Sequence, residues 1–185
     1  NGTITGISVG GLPDGIVDSD MLADGAVSPA KRGTDSVLQI VQNTNYTRVA
    51  ISSSTFTETP NTATITPTKA SSKILVTVTG DVNTEANNRS AYISVFRSVN
   101  SGTFTNIAPP GSNGTSNNGF TGEIRGSSSR LQVPFTINYL DSPSYSLGNS
   151  IVYKLYIRSG DGSAVEIPSN SSAQSIIFMV KEVSA

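Results

Sequence analysis

Among its 185 residues the chain has no Cys, no His and no Trp, and only 14% are charged. Without Cys there is no disulfide framework, no thiolate nucleophile and no Cys-ligated metal; without His the commonest general base and metal ligand are missing. Most enzyme classes thereby lose their first-choice residues. A formal net charge of -1, from 12 Lys and Arg against 13 Asp and Glu, leaves no basic surplus and argues against nucleic acid. No stretch approaches the roughly 18 to 20 apolar residues of a membrane span, so membrane insertion is not expected. The opening Asn1-Gly2-Thr3 has neither an initiator Met nor a basic leader, which suits a fragment or a processed product. Lack of Cys also suits an extracellular particle that folds in a reducing cytosol before working outside it.

What is abundant is neutral polarity: Ser, Thr and Asn supply roughly a third of the chain, well above ordinary usage. Composition changes near Asp35, giving residues 1–34 as an extended segment and 35–185 as a domain. Two similar units occupy the first part, Asp14-Gly15-Ile16-Val17-Asp18-Ser19-Asp20-Met21-Leu22-Ala23 and Asp24-Gly25-Ala26-Val27-Ser28-Pro29-Ala30-Lys31-Arg32-Gly33. Each opens on an Asp-Gly turn and passes a short apolar pair to a polar cap and one helical turn, with Ser28-Pro29 as cap and first-turn proline. Units so poor in large side chains cannot bury an apolar side alone, which leaves a stalk wound with copies of itself or a flexible linker. Asp18, Asp20 and Asp24 could be read as oxygen ligands for a hard cation. They lack the twelve-residue calcium pattern, so turn and cap roles are expected, with no metal and no cofactor.

From Ser36 onward the pattern is strand after strand. Residues 37–41, 46–51, 62–67, 73–80, 91–97, 104–107, 131–140, 151–158 and 175–182 read as strands by β-rich composition and alternation, with no helical period. Such a series, joined by Ser, Gly and Asn turns, predicts an all-β fold, an antiparallel β-sandwich of jelly-roll type. Residues 74–78 and 176–180 are apolar on both faces, whereas a sheet with one solvated face alternates. A homotrimer with one sheet of each protomer at its axis explains this; loops folded over one sheet of a thick monomeric core is the alternative. Tyr92 and Phe96 share one side of their strand, and Lys154 and Tyr156 oppose Tyr153, Leu155 and Ile157.

Four long loops are the candidate binding elements: 80–90, with Asn83, Asn87, Asn88 and Arg89; 108–130, with Asn113, Asn117, Asn118 and Phe120; 141–150, with Tyr145; and 160–172. Planar amides suit vicinal sugar hydroxyls, and an aromatic ring suits a sugar's apolar face, which makes Phe120 and Tyr145 the candidate platforms. For each residue the alternative is an ordinary polar connector.

The residues also carry a resemblance. Gly11-Leu12-Pro13-Asp14-Gly15-Ile16-Val17-Asp18 and Ala23-Asp24-Gly25-Ala26-Val27-Ser28-Pro29-Ala30-Lys31 resemble the stalk repeats of tailed-bacteriophage fibres. The rest resembles the C-terminal domain that follows such stalks: Ser36-Val37-Leu38-Gln39-Ile40-Val41-Gln42, then Thr66-Pro67-Thr68-Lys69-Ala70-Ser71-Ser72-Lys73-Ile74-Leu75-Val76, then Tyr139-Leu140-Asp141-Ser142-Pro143, and a closing apolar strand. The resemblance implies a trimeric virion fibre or receptor-binding protein, its stalk toward the particle through residues 1–34 and its head attaching to a host-surface glycan or other receptor. With only two stalk-like units, a capsid or tail decoration protein that docks by its N-terminal segment is the alternative. Some phage fibres resemble depolymerases that use paired acids; here the acids show no recurring spacing, and a non-enzymatic protein is expected.

Overall fold

The computed structural model describes residues 26–84, 89–110, 119–121, 123–125, 131–169 and 174–185. They form two antiparallel sheets and no α-helix. The strands are β1 (Val37–Asn45), β2 (Val49–Ile51), β3 (Thr57–Ile65), β4 (Lys73–Thr84), β5 (Ser90–Val99), β6 (Thr105–Asn106), β7 (Ile124–Arg125), β8 (Leu131–Asp141), β9 (Ile151–Ser159), β10 (Val165–Ile167) and β11 (Ile176–Val183).

In the first sheet β4 is the spine. β8 pairs along its whole length on one side; β11 and β10 share the other, followed outward by β1 and β2. The second sheet runs β3-β9-β5, with β6 and β7 each covering part of the far edge of β5. Alternation explains the burial: Ile74, Val76 and Val78 of β4 and Phe178 and Val180 of β11 point inward. They meet Ile93 and Val95 of β5 and Tyr153, Leu155 and Ile157 of β9 in one core. Inside it, the Asp141 carboxylate accepts from Arg97 at 2.7 Å and from the Tyr153 hydroxyl at 2.7 Å. Burial, then the Asp141 charge, drives the Tyr153 pKa far above its ordinary value.

Several expected boundaries move, each for a local reason. Gly80 reads as the end of a strand, yet β4 continues to Thr84. A Cβ on Gly80 would come within 2.2 Å of Ile176, so the glycine admits that side chain from β11. β3 begins at Thr57, its register shifting between Glu58 and Thr62 around Pro60, which an edge strand tolerates. Pro134 sits in β8, the edge of the first sheet, for the same reason. β10 lies within the stretch expected to be a 160–172 loop, and β7 within the expected 108–130 loop.

The connections define two ends. At the base, Val37 pairs with Val183, Ile74 pairs with Asp141, and residues 66–72 and 142–150 cross between the sheets. At the top, Thr84 pairs with Leu131 and Val165, and Ala91 pairs with Ser159. Before the base, Pro29–Lys31 forms a single 3-10 turn with proline at its first position, as the sequence suggests, although Ser28 makes no side-chain cap. The first stalk-like unit and the start of the second, including Asp18, Asp20 and Asp24, lie outside the described residues.

Candidate functional site

Two connected stretches, 36–42 and 66–76, meet the closing strand at the base, on one carboxylate. Glu182, wholly buried, ends the inward row of β11. It accepts from Gln39 Nε2 at 2.7 Å, from the Thr68 backbone N–H at 2.9 Å, from the Thr68 hydroxyl at 3.0 Å and from the Lys69 N–H at 3.0 Å. Burial opposes its ionisation, but these donors outweigh burial and hold its pKa below the ordinary glutamate value. Lys69 Nζ reaches Ser184 at 2.6 Å, and the Asp35 N–H donates to Ser184 O at 2.7 Å. The base is therefore a hydrogen-bonded clamp on the point where the N-terminal segment joins the sheets.

Tyr145 belongs to this clamp. Its hydroxyl donates to Lys69 O at 2.8 Å, and its ring packs against the core beside a cleft of about 260 Å³ between residues 71–73 and 142–145. Burial raises its pKa. Phe120 is likewise taken up by packing: it lies 5.2 Å from the Tyr139 ring, and its N–H donates to Ile93 O at 2.9 Å, closing the gap between β5 and β8. Gly119 makes this approach possible at φ +65, where a Cβ would stand 2.5 Å from Ile93 O.

Asn83 is not a loop residue. It is buried in β4 and donates to Glu166 Oε2 at 2.8 Å, while Arg48 pairs with the other Glu166 oxygen. Beside them Ser169 bonds to both Asp81 and Gln132. Arg89 is half-buried at the top, where its charge favours the ionised Asp161. The Asp161 pKa is lowered chiefly by the Ser163 N–H. Thus Asn83 and Arg89 share the top with the strand ends flanking 85–88, 126–130 and 170–173, and Tyr145 is at the opposite end. Asn87, Asn88, Asn113, Asn117 and Asn118 lie outside the described residues.

A surface that the loop-centred reading misses lies on the outer face of the second sheet. Tyr92 and Phe96 of β5 and Lys154, Tyr156 and Arg158 of β9 point outward there, joined by Phe56 and Phe104 from the connections. Phe96 and Tyr156 stack at 4.0 Å and 24°; Phe56 meets Phe96 edge-on at 5.7 Å, and Phe104 lies 6.2 Å from Tyr156. The Arg158 guanidinium sits 3.8 Å from the Tyr92 ring centre, and Lys154 Nζ 5.0 Å from that of Phe104. Lys154 also reaches Glu58 Oε2 at 2.7 Å. Burial, then the Glu58 charge, raises the Tyr156 pKa. All five rings are half-buried. Period-two alternation exposes Tyr92, Phe96 and Tyr156 in the sequence, and Phe104 opens the strand expected at 104–107, whereas Phe56 carries no such signal.

The outer face of the first sheet is apolar in a different way. One row crosses four strands, Ile40 to Lys181 to Leu75 to Leu140. Ile40 is 58% exposed, Leu140 46%, and Val37 and Ile177 on the same face 46% and 38%.

Among the described residues no group of three or more Asp or Glu is placed to hold a metal ion. No helix there is long and apolar enough to cross a membrane. Neither a protein-family model nor a curated protein matches this chain in sequence.

Proposed function

We propose that this chain is the non-enzymatic head of a bacteriophage virion fibre: a homotrimer that joins the particle through residues 1–34 and attaches to a glycan on the host surface. The observation that carries the reading is the division of labour between the two ends. The N-terminal segment is clamped at the base through Asp35, Gln39 and Glu182, while the strand ends flanking three of the four candidate loops gather at the top. A head needs this polarity, since its attachment to the particle and its contact with the host must be far apart. The strand order β1-β11-β4-β8 facing β3-β9-β5, with successive strands crossing between sheets, supports a jelly roll. The exposed apolar row on the first sheet supports a trimer with that face at its axis.

Affinity at each site is expected to be weak, because every sugar contact exchanges bonds with water for bonds with protein. Three tips on one axis, and several fibres per particle, then raise the effective concentration. The test shortens the connection between β4 and β5 within residues 85–88 and, separately, that between β6 and β7 within residues 111–118, confirms the assembly by light scattering, and measures adsorption to host cells. Loss of adsorption with assembly intact is expected. Wild-type adsorption by both variants, with particle incorporation still requiring residues 1–34, would instead identify a decoration protein.

A further inference from the structure

We propose that residues 3–9 of this chain add a strand to the first sheet, antiparallel to β8 along its open edge. This strand is additional to the attachment reading and independent of it; residues 10–33, with both stalk-like units, remain to meet the particle.

Among the described residues β8 is the one long edge without cover. It pairs with β4 residue for residue, from Leu131 with Thr84 to Asp141 with Ile74, without a register shift, and β4 is its only partner there. The other edges are closed. β2 is three residues long, β6 and β7 lie along β5, and β3 is interrupted around Pro60. The side-chain amides of Gln39, Asn43 and Asn45 also reach from β1 to the carbonyls of Thr66, Thr62 and Pro60. Sheet edges are ordinarily guarded by charge, proline or a bulge, and Phe135 to Leu140 has none of these.

Pro134 fixes which groups are open. It has no N–H, so an unshifted ladder tolerates it only where it faces away from β4. Thr136, Asn138 and Leu140 share its parity, and their N–H and C=O groups point out of the edge. The core is thin along the same side. Phe120, Ile124, Val133 and Tyr139 pack against it yet stay half-buried, whereas Ile93, Val95 and Leu155 of the central strands are wholly covered.

Residues 3–9 lie outside the described residues, and their sequence fits this edge. Thr3-Ile4-Thr5-Gly6-Ile7-Ser8-Val9 is uncharged, β-branched at five of seven positions and bounded by Gly2 and Gly10. The open stretch Phe135–Asp141 has the same length, between Pro134 and Ser142-Pro143. Matched centre to centre, Gly6 opposes Asn138, Ile4 opposes Leu140 and Ser8 opposes Thr136, each pair exchanging two backbone bonds without calling on Pro134. Ile4 then extends the aliphatic row beyond Leu140, and Thr5, Ile7 and Val9 fall beside Tyr139, Ile137 and Phe135 on the core side. The chain enters the sheets at the base, where β8 ends. Val9 and Asp35 are then separated by roughly 40 Å at most, and residues 10–34 reach about 80 Å when extended. Such a tether favours a chain's own strand over a neighbour's. Held by few bonds against that tether, the strand undocks before the sandwich opens, so amide exchange reads it and the urea midpoint of the whole fold does not.

The test follows amide exchange by NMR in the full chain and in Gly6→Pro/Ser8→Pro. The Thr136, Asn138 and Leu140 amides are expected to exchange ~30-fold more slowly in wild type than in the proline variant, while those of Phe135, Ile137 and Tyr139, facing β4, stay slow in both. Because the chain has no Cys, Gly6→Cys/Asn138→Cys reports the register directly. It is expected to close a disulfide within one chain, whereas Gly6→Cys/Thr44→Cys, directed to β1 on the far side of the sheet, is not. Fast exchange at 136, 138 and 140 in wild type would leave the edge open and overturn the proposal. So would slow exchange that survives the prolines, which gives the edge to another segment, a disulfide between two chains, which gives it to a neighbour, or equal cross-linking by both cysteine pairs.

Discussion

A carboxylate removed from water is costly unless every acceptor site is answered, and Glu182 shows how this chain meets that cost. Four donors from two segments surround it, and the price of its burial becomes the tie between β11, β1 and the 66–72 connection. Glu182→Gln keeps the shape but replaces one acceptor with an NH2 that faces donors, so a loss of about 2 to 3 kcal/mol at neutral pH is expected by urea denaturation. The sign of the pH dependence follows from the depressed pKa. A carboxyl whose folded value lies below its unfolded one contributes stability that is complete above the unfolded value, and it is lost as pH falls through the folded one. Wild type should therefore weaken as pH drops below the ordinary value of 4.5, and its advantage over Glu182→Gln should shrink across the same range. Part of this was legible. Position 182 shares the parity of Phe178 and Val180, but Ile177 and Met179 make the other parity apolar as well, so the sequence shows a charge at the end of an apolar strand without showing that it faces inward. Its partners were not legible, because they lie 143 and 114 positions away and declare themselves only as a turn-rich Thr66–Lys73 segment.

Long strands rich in β-branched and aromatic residues are readable from composition, and the longest pairs here, β4 with β8 and β5 with β9, are of that kind. What escapes is whatever depends on a partner. β10 is three residues long and is defined by lying between β2 and β4, and the outer aromatic face recruits Phe56 from a connection without any period. Asn83 reads as a loop amide because Gly80 precedes it, yet the glycine serves packing and the strand runs on. β1 is the element whose importance the sequence states least. It has only β11 as a ladder neighbour, but Asn43 and Asn45 bond across to Thr62 O at 2.9 Å and Pro60 O at 3.3 Å, tying the edges of the two sheets together. A chain beginning at Thr34 keeps the bonds of Asp35 and Ser36 with Ser184, and its urea midpoint should stay close to that of the whole chain. A chain beginning at Val41 loses Gln39 and half the ladder, and bares the edge of β11. At about 1 kcal/mol per lost bond it should fall by roughly 3 kcal/mol or more, compared at equal chain concentration.

At the scale of the whole molecule the two outer faces differ in kind, and in the proposed trimer the difference decides which of them would meet another protomer. The second sheet presents rings already answered by cations and by one another, whereas the first presents aliphatic side chains, Ile40, Leu75, Leu140 and Ile177, with Lys181 as the charged residue in their row. Aliphatic surface has no use but burial, and a stable interface removes about 800 Å² per partner from water, so a row across four strands is a reasonable nucleus. Lys181 constrains the geometry. It sits between Ile40 and Leu75 in that row, and a three-fold axis through it would press three ammonium groups together in a drying interface. The axis should therefore pass nearer Leu75 and Leu140, the spine and the β8 edge, leaving Lys181 toward the rim. Light scattering at micromolar concentration should return three times the 19.2 kDa chain mass. Leu140→Asp should release monomers that keep their sheet signal in circular dichroism, Ile40→Asp should weaken the trimer less, and Lys181→Ser should leave it assembled. Wild type at one chain mass would remove the trimer from the proposal, and dissociation by Lys181→Ser with Leu140→Asp intact would move the axis to the β1 side of the sheet.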